Sequence, residues 1–123
     1  MKEKPTHGNG KICYLEIPAL DIEVSAAFYS KSFGWKLRKD NTGSLAFDDG
    51  VGEVSGMWVT NQKPMTEAGI MISIMVDDAE TTSRRIEDNG GKIVHATTLD
   101  SGEKIVHFTD PAGNIMGLYE SRH

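Results

Sequence analysis

A strand followed by a capped helix occurs twice in this chain of 123 residues. The first copy reads KICYLEIP and then DIEVSAAFYSKSFG, and the second reads IMISIMV and then DDAETTSRRIEDNGG. In each copy, apolar residues alternate along the strand and then recur at helical spacing. Asp21 and Asp77 are placed to begin the helices, and Gly34 and Gly90 are placed to end them. The chain is therefore predicted to contain two equivalent modules.

Three short strands are predicted after each helix, separated by turn sequences rich in Asp, Asn and Gly. The segments FGWKL and NGGKI occupy matching corners between helix and strand, and the polar segment Asn61–Gly69 joins the two halves. We therefore expect an α+β fold in which two βαβββ modules form a curled mixed sheet. The predicted boundaries are a flexible tail over residues 1–10 and a single domain over residues 11–120, made of modules 11–60 and 69–120.

Charge and composition limit the partners. A net charge of −5 argues against nucleic acid or an anionic membrane as the main partner, because both favour a basic surface. No apolar run approaches the roughly 20 residues needed to span a bilayer, and the first ten residues lack the apolar segment of a signal peptide. We therefore expect a cytoplasmic protein. Its single cysteine, Cys13, lies in an apolar run and is expected to be a buried small hydrophobe.

The first strand of each module has one aliphatic face and one mixed face. Leu15 and Ile17 are expected to pack on the following helix, while Tyr14 and Glu16 face the opposite way. The same alternation recurs in the second module. The mixed faces of both halves are thus predicted to line one concave surface.

Several motifs support a family resemblance that extends from Lys11 to Glu120. They are Asp21 seven residues after Tyr14, the pairs Phe28-Tyr29 and Phe33-Gly34, and the turn Asp110-Pro111-x-Gly113. This combination resembles the vicinal oxygen chelate superfamily, which includes glyoxalase I, extradiol dioxygenases, fosfomycin-resistance enzymes and bleomycin-resistance proteins. The resemblance implies paired modules whose sheets curl into a cup, usually in a dimer, so we expect a homodimer.

Metal-dependent members of that superfamily hold a divalent ion with one His, Gln or Glu from each of four strands. Counting from the motifs, the corresponding positions here are Tyr14, Gly56, Met71 and Gly117. Glycine offers no donor, and the thioether of methionine is a soft ligand. The resemblance therefore implies a cup with no metal and no cofactor.

The remaining cup positions are predicted to bind a small organic ligand. Aromatic and methionine side chains suit an apolar pocket with a few polar anchors, and glycines would leave room for the ligand. For each apolar residue taken singly, packing in the core is the competing interpretation. The predicted ligand-binding residues are Tyr14, Glu16, Gly56, Trp58, Met71, Ser73, Met75, His107, Gly117 and Tyr119.

Two enzymatic alternatives remain open. In the first, a metal-independent lyase or isomerase uses Glu16 or His107 as the base, and Tyr14 or Tyr119 donates a hydrogen bond to a developing oxyanion. In the second and weaker alternative, a metal-dependent glyoxalase or dioxygenase uses relocated ligands drawn from Glu16, Glu53 and His107. Glu120 has the wrong parity for the cup and is expected to be a surface charge.

Overall fold

The structure, a computed structural model, describes residues 5–121. It confirms the predicted α+β fold of two βαβββ modules. The first module comprises β1 (Tyr14–Pro18), α1 (Ile22–Phe33), β2 (Lys36–Lys39), β3 (Leu45–Asp48) and β4 (Ser55–Val59). The second comprises β5 (Ser73–Val76), α2 (Ala79–Asp88), β6 (Lys92–Thr98), β7 (Lys104–Thr109) and β8 (Ile115–Glu120).

Each module forms its own four-stranded mixed sheet. The strand order is β1-β4-β3-β2 in the first sheet and β5-β8-β7-β6 in the second. β1 pairs with β4 in parallel, β5 pairs with β8 in parallel, and the other pairings are antiparallel. The two sheets are thus not hydrogen-bonded into one continuous sheet, and β1 and β5 are equivalent edge strands.

The helix boundaries follow from local capping. Asp21 accepts hydrogen bonds from two backbone N–H groups of the first turn of α1, as predicted. In α2 the prediction was wrong by one residue, because the N-cap is Asp78, which has an extended backbone and accepts the equivalent bonds. At the other ends, Gly34 and Gly90 have φ angles of 73° and 99°, which an L residue rarely adopts.

The core lies between the helices and one face of each sheet, which we call the inner face. In the first sheet, Leu15 and Ile17 pack against the core, and Ile74 and Val76 do so in the second. Aromatic rings fill its centre, where the Tyr29 ring stacks on Trp35 at a centroid distance of 4.7 Å. The opposite side of each sheet is the outer face, and it corresponds to the cup surface predicted from the sequence.

The last hairpin ties the second module to the first. Asn114, only 1% exposed, donates from Nδ2 to the carbonyl oxygen of Pro18 at 2.6 Å. Its Oδ1 accepts the backbone N–H of Met65 at 2.7 Å. The β7–β8 turn therefore fixes the end of β1 and the connector between the modules in one hydrogen-bonded junction.

One feature of the N-terminal region differs from expectation. Cys13 is exposed and not buried, because it precedes β1 and lies outside the packed part of that strand. Thr6 is held by Glu53, which accepts hydrogen bonds from its backbone N–H and its hydroxyl. The part of the tail over residues 1–4 lies outside the described residues. Within residues 5–121, no helix is both long and apolar enough to cross a membrane.

Candidate functional site

The outer face of the second sheet carries a polar row across all four strands. The strand register aligns Ser73, Gly117, His107 and His95 in that order. Directly paired residues point to the same side of a sheet, so these residues share one face. The register places His107 on the outer face, with Gly117 on one side and His95 on the other. The sequence did not show which side of the sheet His95 faces. The register places His95 beside His107, on the same side.

A more apolar row lies next to it on the same face. Met75, Tyr119, Ile105 and Thr97 are aligned across the strands. Met75 is 77% exposed, whereas Tyr119 is half-buried. An exposed methionine beside a tyrosine provides an adaptable apolar contact surface next to the polar row.

The two histidines are close neighbours. Their ring centroids are 6.4 Å apart, and His95 Nε2 lies 2.7 Å from the hydroxyl oxygen of Thr97. One imidazole is thus oriented by a hydroxyl group, and the other, that of His107, is half-buried. These are suitable groups for hydrogen bonding to a polar ligand atom.

The sequence suggested that Gly117 leaves open space for a ligand. The structure shows that it does not. A Cβ atom at this position would lie 2.8 Å from Ser73 Oγ and 3.5 Å from Met71 Sδ. The volume that a side chain would take is occupied by these two neighbours. The register and these contacts nevertheless bring Met71, Ser73 and Gly117 together on the outer face, as predicted.

In the first sheet, Tyr14 and Glu16 lie on the outer face as predicted. Tyr14 is 50% exposed. Glu16 is exposed near the edge of the sheet, where its Oε1 accepts a hydrogen bond from Gln62 Nε2 at 3.0 Å. Glu16 is therefore a partly solvated carboxylate with an amide partner.

An ionic network lies beside Tyr14. Arg38 Nε is 3.0 Å from Asp48 Oδ2, and Ser55 donates its hydroxyl hydrogen bond to Asp48 Oδ1 at 2.7 Å. The hydrogen bond from Arg38, reinforced by that from Ser55, lowers the pKa of Asp48 and keeps its carboxylate charged. The outer face of the first sheet is thus more strongly charged than that of the second.

Gly56 and Trp58 do not belong to this surface, so their predicted place in the cup was wrong. Gly56 pairs with Leu15 and Phe47 on the inner face, and Trp58 pairs with Ile17 there. A Cβ atom on Gly56 would lie 2.2 Å from the carbonyl oxygen of Leu15, and Trp58 is only 1% exposed. Both positions therefore serve the packing of the core.

The proposed relocated metal ligands are not brought together. Glu53 Oε1 forms a 2.9 Å ion pair with Lys11 Nζ, away from the row that contains His107. Within residues 5–121, no group of three or more His, Cys, Asp or Glu side chains is arranged to hold a metal ion. At the positions that the resemblance assigns to metal ligands, Tyr14 offers a phenol, Met71 a thioether and Gly117 no donor. These residues do not fit a hard divalent cation.

Glu120 points away from the outer face, as its position in the alternation predicted. It is not simply a surface charge, however. It is half-buried and its Oε1 accepts the backbone N–H of Ala79 at 2.7 Å. A carboxylate at a helix N-terminus is stabilising because it satisfies a donor that has no partner within the helix. Glu120 thus connects β8 to the start of α2.

Two cavities were not predicted from the sequence. The larger has a volume of about 790 Å³ and lies where the inner faces of the two sheets meet the ends of the helices. Of the predicted ligand residues, only Ser73 and Met75 line it, because they lie on the edge strand β5. A smaller cavity of about 230 Å³ is bordered by Glu16 and Gln62.

The sequence and the fold have counterparts among known proteins. The sequence profile of the Glyoxalase/Bleomycin resistance protein/Dioxygenase superfamily matches residues 11–117. The chain belongs to this superfamily. The predicted resemblance is therefore confirmed over most of the chain.

Relatives of this superfamily member carry related names. A glyoxylase-like domain-containing protein from Didymella fabae is 32% identical over 98 residues, which cover 68% of this chain and 71% of the relative. A lactoylglutathione lyase from Salmonella typhimurium is 30% identical over 116 residues, which cover 83% of this chain and 86% of the relative. A superfamily member from Sphaerobacter thermophilus has a similar fold, with a TM-score of 0.73 at 18% identity, covering 91% of this chain and 98% of that one.

Proposed function

We propose that this superfamily member binds a small organic molecule on its outer faces, in a cup that works without a metal. The observation that carries the proposal is the register of the second sheet. It brings Ser73, Met75, His107, Gly117 and Tyr119 onto one face, with polar and apolar rows side by side. Small-molecule sites combine such apolar surface with a few polar groups that orient the ligand.

The first sheet would contribute the second wall of the cup. Tyr14 offers a half-exposed aromatic ring, and Glu16 offers a carboxylate near it. The net charge of −5 favours a cationic or neutral ligand over an anionic one. The cup would therefore accept a flat, weakly basic organic molecule.

The test is a thermal-shift screen of the EDTA-dialysed protein against cationic aromatic drugs and small metabolites. Compounds that raise the melting temperature are then titrated by calorimetry into the Tyr14→Ala and Tyr119→Ala variants. Both substitutions should weaken binding at least several-fold, because each removes an aromatic contact surface. Leu20→Ala is the matched control, since Leu20 is 72% exposed and lies outside both sheets.

Three outcomes would contradict the proposal. The first is a screen in which no compound raises the melting temperature. The second is binding that survives both tyrosine substitutions. The third is one tightly bound metal ion per site, found by elemental analysis and by titration with Ni²⁺ or Zn²⁺, together with loss of ligand binding when that ion is removed.

We also propose that the cup is completed in a homodimer. In the described part of the chain, each sheet has at the module boundary an edge strand that is paired on one side only, β1 in the first sheet and β5 in the second. Exposed edge strands are available for pairing with another chain. Sedimentation equilibrium should give twice the mass of one chain, and a monomer at micromolar concentration that still binds the ligand would contradict this part of the proposal.

An isomerase or lyase activity is the second candidate. It is favoured by the relative named lactoylglutathione lyase and by the place of His107 in the polar row. His107 would act as the base, with Glu16 as the alternative. Formation of lactoylglutathione should be assayed with and without added Ni²⁺. Turnover that is lost in His107→Gln but kept in Glu16→Gln supports His107, whereas absence of turnover under both conditions removes this candidate.

A further inference from the structure

We infer a second small-molecule site in the cavity of about 790 Å³ between the modules, and its class of ligand is a bulky apolar cation. This site lies on the inner faces and shares with the outer faces only Ser73 and Met75 of the edge strand β5. Its walls include Leu15 and Phe47 from the first sheet and Ile74 and Val76 from the second, all of them on the inner faces. Its volume lies within the range of about 300–1,000 Å³ that is typical of ligand pockets.

The cavity lies at the boundary between the two modules. Near the β7–β8 turn, Tyr29 and Asn114 join the modules through buried hydrogen bonds. At the other end, the last turn of α1 and the first turn of α2 border the cavity, through Ser32 and Thr82 for example. The cavity is therefore a feature of the module boundary and not of a single sheet.

Charge at the cavity favours a cation. Among the described residues that line it, Asp49, Asp77 and Asp78 are acidic, and Arg85 is the one basic residue. Three carboxylates against one guanidinium leave an excess of negative charge beside apolar walls. Charge next to a low-dielectric surface acts on a ligand more strongly than the same charge in open solvent.

The start of α2 does not offset this preference. Helix N-termini attract anions through backbone N–H groups that lack partners. Here the Asp78 side chain accepts the N–H bonds of Glu80 and Thr81, and Glu120 accepts that of Ala79. Because these donors already have carboxylate partners, an anionic ligand gains little from them.

The apolar walls and one polar group suit the same ligand. Trp35 and Phe47 form part of the apolar wall, and their rings stack on each other at a centroid distance of 4.5 Å. Ser32 also lines the cavity and is 2% exposed, and its Oγ has no hydrogen-bond partner among the described residues. A ligand that carries a donor or acceptor would gain a further contact there.

The experiment uses two ions of closely similar size and shape but opposite charge. Tetraphenylphosphonium and tetraphenylborate are titrated by calorimetry into the protein in a low-salt sodium buffer. Saturable binding of the phosphonium, at least tenfold tighter than that of the borate, is expected. Raising the ionic strength should reduce this difference, because salt screens charges at the mouth of the cavity.

Charge variants locate the binding. Asp77→Asn should weaken phosphonium binding, and Arg85→Gln should strengthen it, each by about two- to fivefold. Both side chains are exposed, so neither change disturbs the core. Glu67→Gln is the matched control, because it removes one exposed acidic charge in the connector, away from the lining residues, and should leave affinity unchanged.

Absence of saturable phosphonium binding, or tighter binding of the borate, would overturn the inference. So would phosphonium binding that ignores Asp77→Asn and Arg85→Gln but is lost in Tyr119→Ala, since that pattern places the cation on the outer face. The last result would support the proposed function while removing the second site, so failures of the two proposals are distinguishable.

Discussion

Tyr29 donates a hydrogen bond from its phenolic oxygen to Asp110 Oδ2 across the boundary between the modules, at a distance of 2.8 Å. Both side chains are almost completely buried, at 0% and 3% exposure. The other carboxylate oxygen of Asp110 accepts the backbone N–H bonds of Ala112 and Asn114. The aspartate of the Asp-Pro-x-Gly turn is therefore a buried acceptor whose donors come from both modules.

Replacement of Tyr29 by Phe should destabilise the protein by about 1.5–3 kcal/mol. The substitution removes a hydrogen bond to a charged group that has little access to water, and such bonds contribute about this much. Urea denaturation followed by far-UV circular dichroism measures the change. Tyr119→Phe is the matched control, because Tyr119 is half-buried on the outer face, and it should cost less than about 0.5 kcal/mol. Equal effects of the two substitutions would contradict this role for Tyr29.

Stability should fall at high pH because of the same residue. Burial, followed by the charge of Asp110 and its hydrogen bond, raises the pKa of Tyr29 well above its ordinary value of 10.0. Since the folded-state pKa is the higher one, the unfolded chain releases this proton first. The contribution of protonated Tyr29 to the free energy of unfolding is complete below pH 10. It is lost as the pH rises above 10, at up to about 1.4 kcal/mol per pH unit.

Urea denaturation at pH 9, 10 and 11 tests this dependence. The advantage of the wild-type protein over Tyr29→Phe should shrink as the pH rises, because only the wild type has this buried phenol. Groups that titrate in both proteins, including the tyrosines of the outer faces, cancel in the comparison. A constant difference between the two proteins over this range would show that Tyr29 is not the group responsible.

Much of the fold could be predicted because its signals are local. Asp21 and Gly34 mark the ends of α1 by their capping chemistry, and strict alternation gave the correct faces of β1 and β5. The turn that begins at Asp110 identified the superfamily. These features depend on residues that are close together in the sequence, and hydrophobic periodicity and capping report on such neighbours directly.

The site could be predicted less completely because it depends on parity and on distant contacts. In β4, Met57 and Val59 make the outer face nearly as apolar as the inner face that carries Gly56 and Trp58. The alternation pattern therefore did not show which residues of β4 face the core. The cavity between the modules joins β1, β3 and β5, which no local pattern connects. Its volume depends on the angle at which the modules pack.

Removal of the Ser32 hydroxyl should leave stability unchanged or raise it by up to about 1 kcal/mol. Its Oγ is buried without a hydrogen-bond partner among the described residues, so the folded state gains nothing from it while losing its hydration. Thermal and urea denaturation of Ser32→Ala measure the effect. Ser55→Ala is the matched control and should cost about 1 kcal/mol, because that hydroxyl donates to Asp48. A loss of stability in Ser32→Ala as large as that in Ser55→Ala would contradict the prediction.

Alanine substitution should separate the two glycines that the sequence suggested for the cup. Gly56→Ala should cost about 3 kcal/mol, the upper part of the range for overpacking, because the new Cβ atom meets the Leu15 carbonyl oxygen at 2.2 Å between paired strands. Gly117→Ala should cost only about 1 kcal/mol, since its nearest contact is a side-chain oxygen at 2.8 Å that can rotate away. Gly8→Ala is the control in the urea denaturation measurements, because a Cβ atom added at Gly8 would have no neighbouring atom within 4 Å. Equal costs at positions 56 and 117 would mean that the backbone of β1 can shift at that contact and that Gly56 is not required for the close approach of β1 and β4.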